Sequence, residues 1–181
     1  MHVNKSLIIL FLFLFIFVVE SYGQNGKMSW FKRTFKELTF DEVILKVHTP
    51  VEICSSVKHR VMYRSDVVDE WATGKEAWDR SYGDCEDIAT TIHDICSKKN
   101  IWSKMFMFYP ENGLEGHVIV VGNWKGKIWF ASNGWFEYVS SVSDIKGKVA
   151  HEMRWKGRVK VESFDIDRGL EPLGVSLASS F

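Results

Sequence analysis

Helical periodicity in this chain runs out near Lys99, and short runs rich in Val, Ile, Phe and Trp, separated by Gly, Asn and Pro, take over. That division constrains the fold more than any other feature. Helices first and strands afterwards indicate an α+β domain with a mostly antiparallel sheet. The strand-like runs are residues 104–109, 117–122, 128–133 and 158–164. A later helix is expected over 142–152, weakened by Gly147 at a cost of about 1 kcal/mol. No internal repeat or low-complexity stretch interrupts the pattern.

The helical half carries its own start signals. Thr49-Pro50-Val51-Glu52 places Thr at the N-cap, Pro at the first helical position and Glu three residues after the cap. Ile53, Val57 and Val61 follow four apart, predicting a helix to about residue 62 with Cys54 beside its apolar face. A short helix is expected over 40–47. Residues 64–82 read as a loop holding a short helix near 75–80. From 84 to 99, Cys85, Ile88, Ile92, Ile95 and Cys96 line one helical face while Glu86, Thr90, His93 and Ser97 line another. Cys85 therefore sits at the N-terminal end of the helix.

The first residues read as an export signal. Lys5 gives a positive start, residues 7–19 are uninterruptedly apolar, and Ser21-Tyr22-Gly23 offers small residues where a signal peptidase cuts. Thirteen apolar residues fall short of the roughly 20 that span a bilayer. The expected organisation is a signal peptide over 1–23, an extension over 24–48 and one domain over 49–181. The protein would be secreted, periplasmic or extracellular, without stable membrane insertion. Formal net charge is zero, which disfavours nucleic acid and anionic membranes as partners. No Gly-rich phosphate loop precedes a helix, and His48, His59, His93 and His151 lack partners at zinc-ligand spacing.

Three cysteines in an exported chain suggest one disulfide and one free thiol. Cys85 and Cys96 are about 16 Å apart along one helix, too far to bridge. If a bridge forms, Cys54 with Cys96 is the pairing that leaves Cys85 free, and the alternative is buried free thiols. A thiol at a helix start meets unpaired N–H groups and a partial positive charge, which favour the thiolate. Asp84, Glu86 and Asp87 oppose it. Downstream, a three-residue loop Trp124-Lys125-Gly126 with Gly126 in the left-handed position would set His117 directly opposite Asn133. A two-residue loop would put those side chains on opposite faces. In the first geometry Asn133 holds one ring nitrogen of His117 and leaves the other toward Cys85.

Trp71 with Glu76, the run Gly83-Asp84-Cys85-Glu86-Asp87, Gly116-His117-Val118 and the strand from Trp129 to Asn133 together resemble the transglutaminase-like cysteine peptidases, including their bacterial branch. The resemblance covers about residues 65–140, and the five-residue motif is its specific part. It implies a papain-like core, with Cys85 on a central helix packed on the sheet and His117 and a third residue on strands. The family usually has Asp where this chain has Asn133, while papain-like enzymes use Asn. It also implies calcium near acidic residues in some bacterial members, making Asp84, Glu86 and Asp87 candidate ligands. The chemistry itself requires no cofactor.

These readings converge on thiol-dependent acyl transfer at amide bonds of a protein or peptide, with Cys85 as nucleophile, His117 as base and Asn133 orienting it. Water as acceptor gives a peptidase or amidase, and an amine gives a transferase. Two alternatives remain: a cell-wall amidase of the NlpC/P60 type, which also orders Cys before His, and a binding module on a catalytically degenerate scaffold. Singly, each residue has a plainer explanation, Cys85 as a small buried hydrophobe and Asp84 and Asp87 as a cap and a first-turn acid.

Overall fold

The computed structural model describes residues 38–65, 71–111, 113, 116–164 and 172–173. The expected signal peptide and residues 24–37 of the extension lie outside the described residues. Three helices begin with the same device: Thr39 before α1 (Phe40–Lys46), Thr49 before α2 (Pro50–Arg60) and Thr73 before α3 (Gly74–Arg80). In each, the Thr hydroxyl accepts the N–H of a Glu three residues on, and that Glu accepts the Thr N–H in return. The longest helix, α4, spans Cys85–Lys98, and α5 spans Val142–Glu152.

The strands are β1 (Met62–Tyr63), β2 (Tyr82–Gly83), β3 (Ser103–Pro110), β4 (His117–Trp124), β5 (Lys127–Ser132), β6 (Trp135–Val139), β7 (Val159–Phe164) and β8 (Pro172–Leu173). β1 and β2 form a small parallel pair; the other six make one antiparallel sheet in the order β6-β5-β4-β3-β7-β8. The fold is α+β, with an antiparallel main sheet. Strands β1, β2, β6 and β8 were not among the four expected.

Two layers of helix cover the sheet. On one face Phe106 and Phe108 of β3, Ile119 and Val121 of β4, Phe130 of β5 and Val159 of β7 pack against Ile145 and Val149 of α5. The alternate residues Met105, Val118 and Val120 are equally buried, and the Thr90 hydroxyl against the Met105 sulfur at 3.9 Å puts α4 over that side. Among the described residues no helix is long and apolar enough to cross a membrane. Trp78, wholly buried, donates its indole N–H to the Leu38 carbonyl at 2.9 Å and meets Phe40 edge to face. It is a core residue tying α1 to α3.

The β4–β5 hairpin corrects the expected register. Trp124 pairs with Lys127, leaving a two-residue loop of Lys125 (φ 52°) and Gly126 (φ 80°). Both loop residues are left-handed, as a type I′ turn requires, and that turn matches the twist of the flanking strands. Gly126 suits the left-handed position in either loop length, so its presence alone does not choose between them. The shift of one residue pairs Ile119 with Ser132. Ser132, rather than Asn133, shares the sheet face of His117.

Candidate active site at the start of α4

The Gly83–Asp87 motif is first a piece of architecture. Asp87, 1% exposed, accepts the backbone N–H of Ala72 at 2.9 Å and of Asp84 at 3.3 Å and pairs with Arg80. One carboxylate thus ties the segment before α3, the end of α3 and the start of α4. A Cβ added at Gly83 would lie 2.5 Å from the Asp87 side chain, so this close approach needs glycine.

Held by that knot, Cys85 is the first residue of α4 and half-buried. Its thiol donates to Glu86 Oε2 at 3.2 Å, and the backbone N–H of Val118 on β4 hydrogen-bonds the sulfur. Burial pushes the thiol up to about 12; the Val118 N–H works against that rise, while the Glu86 and Asp84 carboxyls add to it. Glu86 is itself buried. Burial, followed by a hydrogen bond with the Asp84 side chain, raises its carboxyl well above the usual range.

His117 opens β4, one residue from the N–H that meets the thiol. It is 2% exposed, and burial pushes its imidazole down to about 4. Its Nε2 lies 2.7 Å from Ser132 Oγ, and that hydroxyl donates to Glu152 Oε1 on the last turn of α5 at 2.8 Å. The register puts the His117 ring on the face of Phe108 and Ile119, under α5, whereas Cys85 opens α4 on the other side of the sheet. Thiol and imidazole are both neutral at neutral pH, and no hydrogen bond joins them among the described residues.

Asn133 lies elsewhere than expected. With φ 46° it is the first of the two left-handed residues, Asn133 and Gly134, that turn β5 into β6, where Ser132 pairs with Trp135. Its Oδ1 is buried with no hydrogen-bond partner among the described residues. The structure gives the partner role on His117 to Ser132. Sequence reasoning missed both Ser132 and Glu152. The Asn-Gly pair is a strong hairpin signal, and reading it as a turn would have ended the strand at Ser132.

Asp84, Glu86 and Asp87 do not converge as a metal site: no group of three or more His, Cys, Asp or Glu able to hold a metal ion occurs among the described residues. Asp87 is engaged by Arg80 and two backbone N–H groups, and Glu86 by Asp84 and Cys85. The calcium expectation finds no fitting donor set there. Cys54 and Cys96 are buried free thiols on α2 and α4; burial raises both, and each is shielded from solvent. Glu76, part of the family resemblance, caps α3 by accepting from the Thr73 N–H and hydroxyl.

Among solved structures, Legionella pneumophila LapG is similar with a TM-score of 0.46 and 12% sequence identity, over 85% of this chain and 80% of that one. No family model matches the sequence, and no curated protein does.

Proposed function

We propose that this protein is an exported thiol enzyme that cleaves or transfers acyl groups at amide bonds of a protein or peptide, with Cys85 as nucleophile and His117 as the group that takes its proton. The observation that carries the reading is the meeting of α4 and β4. The Cys85 thiol, at a helix start, takes the N–H of Val118, the residue next to His117. The likeness of the Gly83–Asp87 motif to the transglutaminase-like peptidases supports it.

In this reading the His117 ring turns from Ser132 toward the α4 side and accepts the thiol proton as Cys85 Sγ attacks the carbonyl carbon, since neither group is charged at rest. The backbone N–H of Cys85 is free of an intrahelical partner, as first-turn donors are, and faces the oxygen that gains charge. His117 then returns the proton to the leaving amine. Water releases the acyl group in the hydrolytic outcome, and an amine takes it in the transferase outcome; hydrolysis is the proposed one.

The alkylation rate of Cys85 by iodoacetamide against pH tests the pairing, because Cys54 and Cys96 are inaccessible in the native protein. A slower alkylation near neutral pH in His117→Ala is the expected result, because a neutral base acts by taking the thiol proton during attack and not by holding a resting thiolate. Cys85→Ala should abolish hydrolysis of protein substrates with an unchanged circular dichroism spectrum, and hydrolysis retained by that variant would end the proposal.

A second reading, a binding module on an unreactive scaffold, is favoured by one observation: Glu86 and Asp84 add to the burial that holds the thiol protonated. An alkylation rate near neutral pH that is indifferent to His117→Ala would select it.

A further inference from the structure

Independently of the chemistry at Cys85, we infer that the end of the domain opposite that residue docks on an anionic bilayer surface through lysines and exposed aromatic rings. Residues 95–110 and 116–136 carry five lysines and no Asp, Glu or Arg. The fold brings four of those lysines to one place. α4 runs along β3 from Thr90, beside Met105, to His93, whose Nδ1 lies 3.0 Å from Ser103 Oγ, so its last residues reach the start of β3. Ser103 pairs with Gly122, and the Trp102 carbonyl accepts the Asn123 N–H at 3.2 Å. Lys98 and Lys99 at the end of α4 therefore share an end of the sheet with Lys125 and Lys127 of the β4–β5 hairpin.

Zero net charge disfavours an anionic surface only where the charges are mixed, and here they are sorted. None of the four lysines enters an ion pair among the described residues. Carboxylates on the neighbouring elements are used elsewhere: Asp94 by the Gly74 N–H, Glu137 by Lys148, and Asp144 by Ser140 and Ser141. The aromatic rings choose the partner. Trp102 is 55% and Tyr138 43% exposed, and the Lys127 ammonium stands 5.8 Å from the Tyr138 ring. A soluble polyanion would engage the ammonium groups and leave Trp102 in water. A bilayer surface offers phosphates to the lysines and, just beneath, a layer of low polarity where Trp and Tyr rings sit. Cys85 lies at the other end of α4, about 20 Å along the helix, so docking keeps the Cys85 end turned to solution.

Sedimentation with vesicles tests this on residues 24–181, the chain expected after export, because the apolar run at 7–19 would bind lipid by itself. At low salt the protein should pellet with vesicles of mixed phosphatidylglycerol and phosphatidylcholine, stay in solution with phosphatidylcholine alone, and be released by high salt. Each lysine near an anionic surface contributes about fivefold, so Lys125→Gln combined with Lys127→Gln should weaken partition by about tenfold or more. Trp102→Ala should weaken it as well, with the salt dependence kept. Lys146→Gln combined with Lys160→Gln, which removes the same charge from α5 and β7, should bind as the wild-type protein does. Absence of binding to the mixed vesicles, equal loss in the two double variants, or partition indifferent to Trp102→Ala overturns the inference, the last by showing a site for polyanions in general.

Discussion

Glu86 is the side chain with most leverage over Cys85. Its Oε2 takes the thiol hydrogen bond, its carboxyl is held protonated first by burial and then by Asp84, and any negative charge it acquires faces the sulfur. Glu86→Gln keeps the shape and an accepting oxygen but removes the ionisable proton. The alkylation inflection of Cys85 should therefore move to lower pH in that variant, since a neutral amide no longer opposes the thiolate. An inflection that stays in place or rises would show that burial alone holds the thiol protonated. The same proximity explains why a motif can be legible while its reactivity is not. Gly83-Asp84-Cys85-Glu86-Asp87 can be read from the letters, but the burial that dominates the thiol's acidity is a property of the packed site.

At the scale of elements, the starts of helices are written locally and the partners of strands are not. The pattern Thr49-Pro50-Val51-Glu52 predicts α2, and the helix starts there with both reciprocal bonds made. Thr49→Ala should lower unfolding free energy by about 1 kcal/mol, the usual worth of such a cap, read as a lower urea midpoint with unchanged slope; no change would mean that packing alone fixes the start of α2. Thr39 with Glu42 and Thr73 with Glu76 repeat the device. In the hairpins, Gly126 fits a loop of two residues or three, so the register of β4 on β5 was underdetermined. Treating Asn133 as a partner of His117 conceals the Asn133-Gly134 turn and with it β6, an outer strand whose exposure follows no clean alternation. β1 and β2 are two residues each, too short for any period to show. The bond from Ser132 to Glu152 spans two elements and is invisible to local pattern.

The whole molecule buries its own candidate base. β4 is covered by α4 on one side and α5 on the other, and its first six residues, His117 included, are buried. A neutral imidazole there makes stability depend on pH. Between its ordinary value of 6.5 and about 4, the unfolded chain binds the His117 proton and the folded protein does not. That stabilisation is complete above 6.5 and lost as pH falls toward 4, by about 3 kcal/mol in all. Glu86 acts with the opposite sign. Its folded carboxyl keeps a proton that the unfolded chain releases, so its contribution is complete below 4.5 and fades as pH rises. The two slopes oppose each other between 4.5 and 6.5, and only that of Glu86 persists above. Urea midpoints of the wild-type protein, His117→Gln and Glu86→Gln from pH 4 to 8 separate them. The advantage of the wild-type protein over His117→Gln should shrink as pH falls through the window from 6.5 to 4. Relative to the wild-type protein, Glu86→Gln should gain as pH rises from 4.5. A constant offset for His117→Gln across that window would mean that the folded protein accepts the imidazolium, and the neutral base at the end of β4 would have to be abandoned.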